Sequence, residues 1–214
     1  MCKPLELLHM DLFGPTQHTS IGGNKYSFVI VDDYTRYTWV FFLVDKSDVY
    51  ATFKSYVKLC QNEFETTIKK VISDNGSEFK NTRVYELCDD FGIGHQFLTK
   101  YTPQSNGLIE RKNRTLIDIA ISMLSEYNVS QSFWAEAINT TCYHINRLYC
   151  HTMKEKTPYK LLNGRKSNFA YFSIFGCKCY ILRKGTRLGK FDKKYDEGFL
   201  VGYSTTSNAY RVWN

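Results

Sequence analysis

The 214-residue sequence predicts an α/β fold in which one mixed sheet carries packed helices and a small β module follows. Three observations predict it. The first 45 residues contain three β-branched and aromatic runs in succession. Segments of helical and strand periodicity then alternate twice before two helices follow. From Phe172 onward, short apolar runs are separated by Gly-containing and basic turns.

Leu7 to Phe13 reads as the first strand, closed by Gly14-Pro15. Tyr26 to Asp33 and Tyr37 to Val44 follow as strands around a turn at Tyr34-Thr35-Arg36, completing a meander. Ser47 reads as an N-cap with Asp48 in the first turn, and Val49, Phe53, Tyr56, Val57, Cys60 and Phe64 recur at helical spacing over about four turns. A strand at Lys70 to Ser73, a turn at Asn75-Gly76, a helix from Thr82 to Phe91 stopped by Gly92, and a strand at His95 to Leu98 come next. Thr102 to Gly107 reads as a loop ahead of the longest helix, whose expected core stripe is Ile109, Leu116, Ala120, Met123 and Tyr127. A further helix carries Trp134, Ile138, Cys142 and Ile145. Strands at Phe172 to Leu182, Gly198 to Gly202 and Ala209 to Trp213 complete the chain. The expected division is therefore a body of residues 1–165 and a module of residues 166–214.

Charge divides the chain a little earlier, near residue 150. Lys plus Arg number 28 against 21 Asp plus Glu, a formal +7. Residues 1–150 hold 15 basic and 17 acidic side chains, a net −2, whereas residues 151–214 hold 13 and 4, a net +9. A near-neutral body with a basic tail fits a polyanionic partner, although a Lys-rich solvated surface has the same composition. Hydrophobic residues reach 43% and aromatic residues 16%, enough for a packed core and too many for a disordered chain. No run approaches the roughly 18 apolar residues of a membrane span, and Met1-Cys2-Lys3-Pro4 does not read as a secretory signal. The expectation is a soluble intracellular chain without a membrane partner. Seven cysteines lack a Cys-x-x-Cys spacing, and the five histidines lack metal-ligand spacing, so neither a disulfide framework nor a zinc site is expected.

Three carboxylates stand where an α/β sheet places chemistry. Asp11 lies on the first strand, on one face with His9. Asp74 sits at the C-terminal end of the fourth strand, and Glu110 lies at the start of the long helix beside its apolar stripe. Hard divalent cations are commonly held by one or two carboxylates together with substrate phosphate oxygens. Two such ions can serve an in-line displacement at phosphorus. Each acid taken singly also suits a turn or helix-end role. Asp32 and Asp33 are adjacent and point to opposite faces, so at most one could approach Asp11; Glu78 reads as a surface or supporting residue.

The combination is more specific. Asp74-Asn75-Gly76-Ser77-Glu78-Phe79, Tyr101-Thr102-Pro103-Gln104-Ser105-Asn106-Gly107 and Glu110-Arg111-Lys112-Asn113-Arg114 together resemble the integrase core of copia-type long-terminal-repeat retrotransposons. His9 to Pro15, Asp32 to Arg36 and Phe133 to Ala137 resemble further landmarks of that family, and the likeness covers nearly the whole chain. It implies a ribonuclease H-like catalytic domain followed by a small SH3-like module. Asp11, Asp74 and Glu110 match the catalytic, metal-holding Asp-Asp-Glu triad of the polynucleotidyl transferases.

The implied cofactor is Mg²⁺ or Mn²⁺, with two ions when DNA is bound. The implied partners are element-end DNA and target DNA, and the active form is a homo-oligomer working in the nucleus after synthesis in the cytoplasm. The implied activity is trimming of DNA 3′ ends and joining of the new 3′-hydroxyl to target DNA. Arg111, Lys112 and Arg114 are candidate DNA contacts, with Arg114 one turn beyond Glu110 on the same face. Asn106-Gly107 reads as a joint that lets Glu110 close, and Lys184, Arg187 and Lys190 are the module's candidate DNA contacts. Two departures from the family pattern stand out: no zinc-binding His/Cys domain precedes the first strand, and Ile121-Ser122 occupies a place where a basic residue is expected. They suggest impaired integration by this chain alone. The competing readings are a non-catalytic remnant that binds nucleic acid at most, and a stand-alone ribonuclease of the same fold class.

Overall fold

A computed structural model describes residues 3–98, 103–151, 154–183, 191–204, 207 and 209–214, without the side chains of 103–106. Strands β1 (Leu7–Phe13), β2 (Tyr26–Asp32) and β3 (Thr38–Leu43) form the antiparallel meander. Helix α1 (Asp48–Phe64) then crosses to β4 (Lys70–Ser73), and α2 (Thr82–Asp90) crosses to β5 (Gly94–Phe97). Parallel neighbours need such crossovers, and β4 pairs parallel to both β1 and β5, giving the order β3-β2-β1-β4-β5.

Side-chain alternation divides the sheet between two cores. Leu8 and Met10 of β1 join Phe28 and Ile30 of β2 against Phe53 and Tyr56 of α1. Val29 and Val31 instead meet Ile109 and Leu116 of α3 (Pro103–Glu126) and Cys142 and Ile145 of α4 (Trp134–Leu148). A sheet covered on both faces accounts for the uninterrupted apolar run Phe28 to Val31.

The long helix departs from its sequence reading. It begins at Pro103, so the segment taken as a loop is helical as far as it is described, and Gly107 lies within the helix and not in a joint. Proline is favoured at a first helical position, while an internal glycine costs about 1 kcal/mol relative to alanine. The buried stripe runs Ile109, Asn113, Leu116, Ala120, Leu124. Continuing at 3.6 residues per turn from Ala120 reaches Leu124, leaving Met123 half-buried and Tyr127 exposed beyond the helix end. Trp134, Ile138, Cys142 and Ile145 of α4 are buried as expected. A short helix, α5 (Pro158–Asn163), was absent from the sequence reading; Thr157 caps it by accepting the Lys160 N–H at 3.2 Å.

The second sheet is β6 (Lys178–Leu182), β7 (Tyr195–Tyr203) and β8 (Tyr210–Trp213), all antiparallel, in the order β6-β7-β8. Its first strand starts later than expected because the preceding aromatics pack irregularly on α4: the Phe172 ring stacks 4.8 Å from His144. The sheet docks on α4 through a shared core. Phe133 meets Phe199 and Trp213 edge to face, Tyr143 stacks on Tyr203 at 4.4 Å, and Arg211 pairs with Glu136 at 2.6 Å. Gly202 makes the close approach possible. Its φ is +143°, and a Cβ there would lie 2.5 Å from Thr140 Oγ1. Among the described residues, no helix is long and apolar enough to cross a membrane.

Candidate active site

The centre of the large sheet is β1, with parallel β4 beside it. Leu7, Leu8 and His9 pair with Lys70, Val71 and Ile72. Continuing this register two residues beyond His9 and Ile72 sets Asp11 level with Asp74, just past the end of β4. Parallel strands in register present level residues on one face, about 4.8 Å apart between strands. The sequence therefore brings the two aspartates together through a simple device: two strands of the same direction, each followed to the same height.

Asp74 is held by a local turn in which its Oδ1 accepts the Gly76 N–H at 3.0 Å. Helix α3 crosses the same face of the sheet and supplies two further groups. Asn113 is buried and donates from Nδ2 to Asp11 Oδ2 at 2.7 Å, while its Oδ1 is buried without a partner. Glu110, one turn earlier, is exposed. Residues three apart on a helix share a face, so Glu110 borders the same site.

Electrostatics tie the three acids together. Asp11 is pushed up to about 6 by burial first and then by the Asp74 carboxylate, with Glu110 adding to the rise. The Leu12 N–H and the Asn113 amide act in the opposite direction. Among the described residues, no three acidic, histidine or cysteine side chains close into a metal-holding group. The convergence is thus strongest for Asp11 and Asp74, with Glu110 acting on Asp11 by its charge.

The other acids weighed from sequence are engaged elsewhere. Asp32 is fully buried and accepts the Leu5 N–H at 2.8 Å, the Thr35 N–H at 2.8 Å and the Thr35 hydroxyl at 2.6 Å. Asp33 pairs with Arg36 at 3.0 Å and His9 at 3.3 Å, and these partners hold its carboxyl down to about 2. The Asp33 N–H bonds the Leu7 carbonyl, four residues before Asp11. That is roughly 13 Å along a strand. Glu78 folds its carboxylate over Gly76, where a Cβ would lie 2.7 Å away.

The candidate DNA contacts divide. Arg114 and Arg111 are exposed, with the Arg111 guanidinium folded back over Gly107. Lys112 is turned into the protein near Cys142 and Arg36, and burial lowers its pKa. That places it beside α4 and the turn between β2 and β3. The Asn106 side chain and Lys184, Arg187 and Lys190 lie outside the described residues. Asn113 lies within the Glu110 to Arg114 motif, which by itself assigns it no role. Its position four residues after Ile109 and three before Leu116 was the available signal for an inward-facing amide.

Comparison with known proteins gives this arrangement a family. The model of the integrase core domain matches residues 2–103, which include Asp11 and Asp74, and that of the retroviral polymerase SH3-like domain matches residues 177–214. Residues 2–103 belong to the integrase core domain family. It is 33% identical over 210 residues to the retrovirus-related Pol polyprotein from transposon TNT 1-94 of Nicotiana tabacum, covering 98% of this chain and 16% of that protein. It is 35% identical over 208 residues to the retrovirus-related Pol polyprotein from transposon RE2 of Arabidopsis thaliana, covering 97% and 14%. These relatives support the retrotransposon resemblance carried by the motifs. The chain spans about one sixth of their length or less.

Solved structures agree on the fold. The catalytic core domain of HTLV-2 integrase, determined in complex with magnesium, aligns with a TM-score of 0.56 at 19% identity, covering 75% of this chain and 97% of that one. A chain of the simian T-cell lymphotropic virus intasome, determined with the PP2A regulatory subunit B56 gamma, aligns with a TM-score of 0.63 at 16% identity, covering 100% and 78%. The fold is therefore that of an integrase core, with its mixed sheet, followed by a small SH3-like β module, as the sequence implied.

Proposed function

We propose that this chain is the catalytic region of a copia-type retrotransposon integrase, a polynucleotidyl transferase that trims DNA 3′ ends and joins them to target DNA. The observation that carries the reading is the Asp11 carboxylate, level with Asp74 just past the end of the neighbouring parallel strand and within the field of both Asp74 and Glu110. Residues 1–165 form the catalytic unit in this reading and residues 166–214 the DNA-attracting module. Its partners are element-end and target DNA, and it acts as a homo-oligomer in the nucleus.

The donor set fits a hard divalent cation. Asp11 and Asp74 offer oxygen ligands alone, and among the described residues no lysine or arginine pairs with either. Asp11 and Asp74 would hold Mg²⁺ or Mn²⁺, with Glu110 as the third ligand. Such ions supply Lewis acidity, favouring the ionised form of an attacking hydroxyl and offsetting charge on a leaving oxygen. The chain's residues set the geometry. Asn113 fixes the Asp11 carboxylate by its 2.7 Å bond, the Gly76 N–H fixes Asp74, and exposed Arg114 stands one turn from Glu110 to take a DNA phosphate.

The test is a disintegration or strand-transfer assay on branched DNA with Mg²⁺ or Mn²⁺. The expected result is product from the unaltered chain and a loss of at least about a thousandfold in Glu110→Gln, the scale of a lost charge-stabilising group. Equal activity in the two would refute the catalytic role of Glu110. Metal-independent product would point to a contaminating nuclease, and no product from either would favour the non-catalytic remnant.

A further inference from the structure

Strand β3 is an edge of the large sheet, and its outward backbone is open. Thr38, Val40 and Phe42 alternate with Trp39 and Phe41 along it. The Asp32 N–H bonds the Tyr37 carbonyl, which sets the odd-numbered residues toward β2 and the even-numbered ones away. Thr38 is closed off by Asn146, whose Oδ1 accepts its N–H at 2.9 Å and whose Nδ2 donates to its carbonyl at 2.7 Å. The outward N–H and C=O of Val40 and Phe42 make no hydrogen bond among the described residues. Unpaired edge groups of this kind are a template for another strand.

Tyr37 to Phe41 of this edge line a cleft of about 560 Å³ between β3, α4 and the β module, and Phe42 follows just beyond it. That is the size of a ligand cleft. It lies two strands from β1, about 10 Å across the sheet from the carboxylates. Among its described lining residues none is acidic, yet two are arginines, Arg147 and Arg165. Arg147 is fixed between two rings, 3.5 Å from the centre of Tyr143 and 4.6 Å from that of Tyr159, and pairs with no carboxylate among the described residues. Arg147 also donates to the Tyr143 carbonyl at 3.3 Å, and a cation held this rigidly without a carboxylate suits an anionic group brought by a ligand.

We infer that this cleft binds an extended acidic peptide segment of a partner protein, added as a strand to β3 and anchored by a carboxylate on Arg147. A peptide fits better than a nucleic-acid strand for two reasons. The Val40 and Phe42 groups alternate at strand spacing, which a second backbone matches. The ring faces that could stack bases are also largely taken, since Tyr143 lies between Arg147 and Tyr203, the latter stacked at 4.4 Å. Main-chain bonds to Val40 and Phe42 supply affinity, and the arginines select for charge.

The experiment is selection from a positional-scanning library of N-acetylated hexapeptides on the full chain, followed by titration of the best peptide by fluorescence anisotropy. The expected result is enrichment of Asp, Glu or a free carboxylate at one end. Binding should be at least tenfold weaker to Arg147→Gln, and weaker also to Arg165→Gln, whose exposed side chain leaves the fold untouched. N-methylation of alternate peptide residues should abolish binding in one register and be tolerated in the other, and hydrogen exchange should slow at the Val40 and Phe42 amides. No selection of acidic peptides, or binding indifferent to both arginines and to N-methylation, overturns the inference. It is equally overturned if oligothymidylate, or self-association of the chain, protects those two amides in place of the peptide.

Discussion

Replacing Asp11 with asparagine is expected to abolish strand transfer and at the same time raise the thermal stability of the metal-free chain. In chelator, the native fold keeps a largely buried carboxylate beside Asp74 and within the field of Glu110, and its pKa rises to about 6. A carboxyl whose folded pKa exceeds its unfolded value near 4 favours folding in its protonated form. Stability from this group is therefore full below pH 4 and lost as pH rises through 6. At pH 7 the ionised group costs about 3 kcal/mol at most, from roughly two pKa units at 1.36 kcal/mol each. Asp11→Asn removes that charge and keeps the size and an acceptor for Asn113. The melting temperature in EDTA should rise by several degrees at pH 7, since 1 kcal/mol moves a domain of this size by about 2–4 °C. The advantage should vanish near pH 4. A substitution that lowered stability at pH 7 would mean that the carboxylate supports the fold, and the site would then read as structural.

Asn113→Leu is expected to lower strand-transfer turnover by about 10- to 100-fold without loss of stability, the usual scale for a group that orients a metal ligand. Leucine suits the buried stripe between Ile109 and Leu116, and it removes the unpartnered buried Oδ1. What is lost is the 2.7 Å bond to Asp11 Oδ2, which favours the ionised carboxylate. The acid limb of the pH-rate profile should therefore shift to higher pH. A packing defect alone would lower activity without moving that limb, so the profile separates the two explanations. An unchanged profile with unchanged turnover would remove Asn113 from the site.

The strands were largely legible because each has a strong local signal. β1 and β4 begin and end where alternation and Gly-Pro or Asp-Asn-Gly punctuation place them. The two aspartates were legible for a related reason: Asp11 lies within the first strand and Asp74 just past the end of the fourth, and the parallel register does the rest. The start of α3 was not legible, because Pro103 and Gly107 carry turn signals that a helix spanning two cores overrides. The inward turn of Lys112 could not be read either; basic neighbours on a helix look solvated until α4 packs over one of them. Nor was the cleft beside β3 legible. It depends on where the second sheet docks, and the docking contacts join distant parts of the chain, such as Thr140 and Val201, 61 residues apart.

The central claim is that Asp11, Asp74 and Glu110 act as one divalent-cation site. The most direct test is Mn²⁺ binding to the metal-free chain, followed by electron paramagnetic resonance at pH 5 and pH 7, with Asp11→Asn, Asp74→Asn and Glu110→Gln in parallel. The account predicts saturable binding that strengthens from pH 5 to pH 7 as Asp11 loses its proton, disappears in both aspartate variants and weakens in the glutamate variant. Binding that is unchanged in Asp11→Asn and Asp74→Asn, or absent from the unaltered chain at saturating Mn²⁺ with DNA present, would contradict it.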